Sequence, residues 1–333
     1  MTLRELAETA GVRIGAAVSD VTLASDDRRY RELLGSEFNS VTAERAMKWS
    51  SLHPEPDRWE WEAADALIDF AGCHDMEVRA HTVVWPHWGT PDYITTCTDP
   101  TMLRRHLRSH IEAVFEHWRG RVTRYDLVNE PLHWLEGRMA DQVWAANLGP
   151  DYLAEVLGIA HEIDPSVELW INETHVDVVP DKHREFTRII TDLVDRGVPL
   201  HGVGLQGHQL YPDFTPEPPS PEHLASVVAT YADLGLEVAV TEMDVLAHPT
   251  RPDRLEVQAR IYGELVDAAL SVDACREITF WGVSDARSWV DEHFGPDRAP
   301  LLFDHAGEPK PAYHAVAAAL TARVRRTPQG ARR

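Results

Sequence analysis

The chain has 333 residues, 44% of them hydrophobic, and a formal net charge of −22. That size and apolar content suit one closed α/β barrel, while the negative charge repels phosphate backbones and anionic head groups, so neither nucleic acid nor a membrane is an expected partner. No run approaches the roughly 20 apolar residues of a membrane span and the start Met-Thr-Leu-Arg-Glu-Leu-Ala-Glu has no apolar export segment, so the expectation is a soluble, cytoplasmic monomer.

Runs rich in Val, Ile and aromatics predict strands at Val12–Val18, Phe38–Thr42, Glu77–Trp85, Val122–Asn129, Val167–Asn172, Gly202–His208, Glu237–Thr241 and Glu277–Val283. Between them, apolar residues at three- and four-residue intervals predict helices, among them Ala63–Ala71, Met102–Trp118, Lys182–Arg196, Glu222–Leu234 and Leu255–Leu270. Eight strands alternating with helices describe an α/β fold, the (β/α)8 TIM barrel, as a single domain whose sites lie at the C-terminal strand ends. An open doubly wound sheet is the rival, but no Gly-x-Gly-x-x-Gly turn follows the first strand. Tyr211–Pro221, with several prolines, reads as a surface loop. A last helix, Tyr313–Val324, closes a catalytic domain of residues 1–324, and the basic Arg325–Arg333 reads as a disordered tail. Cys73, Cys97 and Cys275 are odd in number and widely spaced, which fits three small buried hydrophobes rather than a disulfide framework or a zinc site.

The strand ends are unusually polar. In order they present Glu44 and Lys48; His81 and Trp85; Asn129 and Glu130; Asn172; Gln206 and His208; Glu242 and Asp244; and Trp281. A single glutamate ending a strand is ordinarily a solvated surface group. Polar groups gathered at one rim of an apolar core point instead to a ligand or a mutual network. Adjacent strand residues face opposite ways, so Asn129 and Glu130 can share one ligand only if the strand ends or bulges between them.

At these segments the chain resembles the endo-β-1,4-xylanases of glycoside hydrolase family ten, over nearly its whole length. The matching stretches are Phe38-Asn39-Ser40-Val41-Thr42-Ala43-Glu44 with Met47-Lys48-Trp49, His81-Thr82-Val83-Val84-Trp85, Asp126-Leu127-Val128-Asn129-Glu130, Gly202 through His208, Thr241-Glu242-Met243-Asp244, and Phe280 through Asp285 with Ser288-Trp289. Pro300 through Asp304 and Pro309 through Tyr313 complete the pattern. The resemblance implies a retaining hydrolase of xylan or xylo-oligosaccharides with four catalytic residues: Glu130 as acid/base, Glu242 as nucleophile, His208 bonding Glu242, and Asp244 holding the His208 ring. Retention asks for carboxyls about 5–5.5 Å apart. It further implies substrate contacts from Glu44, Lys48, His81, Asn129 and Gln206, and sugar stacking or enclosure by Trp85, Trp281 and Trp289. Trp49, Trp118 and Trp144 read as packing. No metal or other cofactor is expected, since no His-Glu-x-x-His or clustered ligand spacing occurs.

Three departures bear on specificity. Arg45 stands where the family usually carries Asn; it either pairs with a uronate on a decorated chain, neutralises Glu44, or faces solvent. Pro86-His87-Trp88-Gly89-Thr90-Pro91 replaces a shorter His-Ser-Gln segment, and Asn172-Glu173-Thr174 replaces Asn-Asp-Tyr, removing an aromatic platform on the leaving-group side. Two other readings stay open: a retaining β-glycosidase acting on a different or uronate-decorated glycan, and a carbohydrate-binding barrel with weak catalysis.

Overall fold

The computed structural model describes residues 1–210, 220–295 and 297–326. Nine strands occur among them: β1 (Arg13–Val18), β2 (Ser40–Ala43), β3 (Glu77–Val84), β4 (Arg124–Asn129), β5 (Glu168–Glu173), β6 (Gly202–Leu205), β7 (His208–Gln209), β8 (Glu237–Val245) and β9 (Cys275–Phe280). All except the two-residue β7 form one parallel ring: β1 through β6 pair in sequence, β6 pairs with β8, β8 with β9, and β9 returns to β1. This is the expected (β/α)8 barrel.

Helices fill the crossovers. Pro100–His117 starts behind Asp99, whose carboxylate accepts the Thr101 N–H at 2.8 Å, and Pro221–Ala232 starts behind Ser220, whose hydroxyl accepts from His223 N–H at 3.2 Å. Proline suits the first helical position because its missing N–H would have no partner there. The expected helices recur as Glu62–Cys73, Pro100–His117, Pro180–Asp195, Pro221–Ala232 and Arg254–Ala269. The last helix is Pro311–Arg326, so Arg325 and Arg326 belong to it. The remainder of the expected tail, and residues 211–219 of the expected loop, lie outside the described residues. Among the described residues no helix is long and apolar enough to cross a membrane.

Two strands differ from expectation in a way that shapes the mouth. The predicted run Gly202–His208 breaks at Gln206 and Gly207, the latter at φ +76, and resumes as β7 with His208 opposite Asp244. β8 continues past Thr241 to Val245, so Glu242 and Asp244 lie within it rather than beyond its end. Pairing with β7 and, through Met243, with β9 sustains that extension.

Trp49, Trp118 and Trp144 are buried packing residues, as expected. Of the cysteines only Cys275 is buried; Cys97 is half-buried, and Cys73, at the end of its helix, is exposed and is no core residue. The barrel interior also carries charge. Arg79 bonds Asp126 through two nitrogens at 3.0 and 2.6 Å and reaches Glu277 at 3.3 Å, while Arg124 bonds Glu277 at 2.8 Å and Glu168 at 2.7 Å. Both guanidiniums lie over the Trp170 ring, at 4.5 and 5.3 Å.

Candidate active site

Glu130 follows β4 directly and takes a left-handed backbone, φ +49. That turn cancels the alternation of the strand and brings Asn129 and Glu130 to the same mouth, as the sequence required. A non-glycine residue in this region costs on the order of 1 kcal/mol; the bond from the Glu130 N–H to the Asn172 carbonyl, 2.8 Å, holds it there. The carboxylate accepts from Trp85 Nε1 at 2.9 Å on one oxygen and from Gln206 Nε2 at 2.7 Å on the other.

Glu242 comes from the far side of the ring and is 4% exposed. Asn172 Nδ2 donates to its Oε1 at 2.7 Å, and His208 Nε2 faces its Oε2 at 3.3 Å. The same Asn172 nitrogen donates to Asn129 Oδ1 at 2.8 Å, while Asn172 Oδ1 accepts from Thr241 Oγ1 at 2.6 Å. Carboxylates only accept, so the amide nitrogens of Asn172 and Gln206 must be the atoms that face the two glutamates. Gln206 touches both: its side chain bonds Glu130, and its carbonyl accepts the Glu242 N–H at 2.8 Å. Asn172 fits this centre because residue 204 is glycine, where a Cβ would collide with Asn172 Oδ1.

Residues 242 and 244 sit two apart on β8 and share a face, so the His208 ring spans both carboxylates. Its Nδ1 lies 3.0 Å from Asp244 Oδ1, and the other Asp244 oxygen accepts from Trp289 Nε1 at 2.7 Å. Burial opposes charge on this ring, but Asp244 and then Glu242 outweigh it and raise its pKa to about 10. At neutral pH His208 is therefore an imidazolium that donates from both nitrogens and sets a positive charge against Glu242. Glu130, by contrast, is held by two neutral N–H donors, so the two glutamates are not equivalent.

The remaining expected contacts cluster around this pair. Lys48 lies 4.3 Å above the Trp85 ring; burial lowers its pKa, against the attraction of Glu242, Glu130 and Glu44. Glu44 is half-buried, and burial raises its pKa against the pull of Arg45 and Lys48. His81 is buried with Nδ1 3.0 Å from Asp126 and its ring edge-on to Trp281, 5.4 Å between centroids. Trp281 also meets His208 edge-on at 6.2 Å, and Trp289 lies 5.1 Å from His208. Arg45 is exposed; its carbonyl accepts the Lys48 N–H at 3.0 Å, but its side chain makes no hydrogen bond or ion pair among the described residues, although its charge acts on Glu44. In the unusual segment after Trp85, Trp88 is 70% exposed and His87 Nε2 donates to the Leu132 carbonyl at 2.8 Å.

Sequence reasoning gave no role to three features. Asn172, noted only as a strand-end polar residue, is the hub between Asn129 and Glu242. Asp126 orients His81; burial works against its charge, but Arg79 and His81 prevail and lower its pKa. Glu173 and Lys182 form an ion pair at 2.8 Å with neither side chain exposed. Glu173 also accepts the N–H groups of Leu132 at 3.0 Å and Thr174 at 2.9 Å, and burial, only partly offset by Lys182, raises its pKa to about 7. The signal for Lys182 was present: it shares the buried helical face of Phe186, Ile189, Ile190 and Leu193. A charged residue amid the apolar run Tyr125-Asp126-Leu127 was the equivalent clue for Asp126.

The profile of glycosyl hydrolase family 10 matches residues 2–319. The chain belongs to glycosyl hydrolase family 10. A relative from Dictyoglomus thermophilum, named a β-1,4-xylanase, is 35% identical over 316 residues, spanning 90% of this chain and 86% of its own. The crystal structure of xylanase 10B from Thermotoga maritima superimposes with a TM-score of 0.91 at 33% identity, covering 98% of this chain and all of that one. Xylanase 10B from Thermotoga petrophila, solved in complex with xylobiose, gives 0.89 at 32% identity and covers 97% of this chain and 98% of its own.

Proposed function

We propose that this family 10 protein is an endo-β-1,4-xylanase that hydrolyses xylan and xylo-oligosaccharides by a retaining double displacement. The observation that carries the reading is the pair of glutamates reaching one mouth from β4 and β8 and joined through Gln206 and Asn172. Glu130 protonates the departing glycosidic oxygen while Glu242 attacks the anomeric carbon. In the second step Glu130 takes a proton from water, which displaces Glu242. His208 and Asn172 hold the Glu242 carboxylate in place before attack and again as it is released. Asn129, fixed by Asn172, is placed to bond a sugar hydroxyl next to the reacting carbon. Glu44, Lys48, His81, Trp85, Trp281 and Trp289 form the sugar pocket, with Asp126 and Asp244 as positioning residues behind it. The relatives named as xylanases, and the xylobiose bound by one of them, support this substrate class.

Incubation with xylan, linear and glucuronate-decorated xylo-oligosaccharides and cello-oligosaccharides tests the substrate. Proton NMR of the first-formed product tests the mechanism. Cleavage of β-1,4-xylosidic bonds with the β-anomer appearing first is the expected result. Activity confined to cello-oligosaccharides removes the substrate assignment, and an initial α-anomer removes the mechanism.

A further inference from the structure

Of the eleven tryptophans in the chain, only Trp88 and Trp134 are exposed, Trp134 by 48%. A single exposed aromatic is ordinary on a protein surface. Trp134 differs in where it is and how it is held. It lies four residues beyond Glu130, in a segment fastened at several points: Leu132 N–H to Glu173, the Leu132 carbonyl to His87, and the Trp134 carbonyl to Lys182 Nζ at 3.2 Å. Two of these fastenings end on the fully buried Glu173–Lys182 pair. Ion pairs taken out of water rarely add net stability, so the gain from this one is sought in the position it enforces. The Trp134 ring also meets His175 edge-on at 6.3 Å, and His175 hydrogen-bonds the Trp134 backbone.

The strand order fixes which side of the cleft this is. A line from Glu130 on β4 to Glu242 on β8 leaves β3, β2, β1 and β9 on one side, with His81, Lys48, Glu44 and Trp281, and leaves β5 and β6 on the other. His175 follows β5, so the ring packed against it belongs to the second side. The family 10 resemblance implies that Glu44, Lys48 and His81 bind the glycone, so the leaving-group sugar lies on the Trp134 side.

We propose that Trp134 is the sugar platform of the leaving-group side, stacking its indole face on a β-1,4-linked xylopyranose ring. It supplies a flat apolar surface at a cleft edge where residue 174 is Thr, whose hydroxyl is engaged with His175 Nδ1 at 3.0 Å. This rests on Glu130 and Glu242 acting as above. The test compares xylopentaose, which fills that side, with β-xylobiosyl fluoride, whose leaving group is a single ion. Trp134→Ala and Trp134→Leu are expected to lower kcat/KM on xylopentaose about tenfold while leaving the fluoride within about twofold, and Trp134→Phe to retain most of the activity. Equal losses on both substrates, or none on xylopentaose, overturn the platform while leaving the xylanase assignment intact. Failure of the unmodified protein to cleave xylopentaose overturns both.

Discussion

Replacing Asp244 by Asn isolates the charge that His208 places on Glu242. Asp244 receives two donors, His208 Nδ1 at 3.0 Å and Trp289 Nε1 at 2.7 Å. An asparagine has one accepting oxygen, and the indole N–H can only donate, so the oxygen goes to Trp289 and the amide N–H faces Nδ1. The ring then carries its proton on Nε2 and still donates to Glu242, but as a neutral group, because burial now prevails. What is lost is the difference between a charge-assisted and a neutral hydrogen bond, about 1–2 kcal/mol, or about 5–30-fold in kcat/KM. Stability responds as well. A folded-state pKa raised from 6.5 to about 10 gives stabilisation that is complete below 6.5 and lost as the pH rises through about 10. In Asp244→Asn the decline in unfolding free energy across that window should flatten. Kinetics on an aryl xylobioside from pH 4 to 10, with urea melts at the same pH values, provide the readout. A variant within about twofold of the parent, with an unchanged pH dependence of stability, refutes the charge argument.

Glu130→Ala should lose at least about a thousandfold in kcat/KM on xylo-oligosaccharides yet keep most of its kcat/KM on aryl xylosides with acidic leaving groups, whose departure needs no proton, while kcat on these falls because hydrolysis of the glycosyl-enzyme lacks its base; equal losses of kcat/KM on both classes contradict its role. Lys182→Met leaves Glu173 buried without its cation and should destabilise the fold by about 3–5 kcal/mol in urea titration, whereas a change below about 1 kcal/mol shows that the pair is not a structural anchor. Arg45→Asn should leave stability within about 0.5 kcal/mol, because the side chain is exposed. It should also reduce any preference for glucuronate-decorated over linear oligosaccharides, and an unchanged preference ends the uronate reading of Arg45.

The barrel was legible because parallel strands buried on both faces read as continuous apolar runs, and the helices between them carry a 3.6-residue stripe. The glutamates and His208 were legible because they punctuate those runs. Register was not. Whether Glu242 ends its strand or lies inside it depends on the β7 pairing, a contact between segments more than thirty residues apart. The left-handed turn at Glu130 carries no glycine to announce it, because it is secured from outside by the Asn172 carbonyl. The Glu173–Lys182 and Arg79–Asp126 pairs escaped for a related reason: a charged residue in a strand or helix reads as surface until its partner on another element, nine residues away in the first pair and 47 in the second, is seen to meet it.

The account stands on Glu242 forming a covalent bond to the sugar. Incubation with a 2-deoxy-2-fluoro-xylobioside carrying a good leaving group, followed by mass spectrometry of the intact protein and its peptides, measures this directly. The predicted result is one fluoroxylobiosyl group per chain, located on Glu242 and absent in Glu242→Gln. A label on any other residue, or turnover of the inhibitor with no adduct and an inverted product, contradicts it.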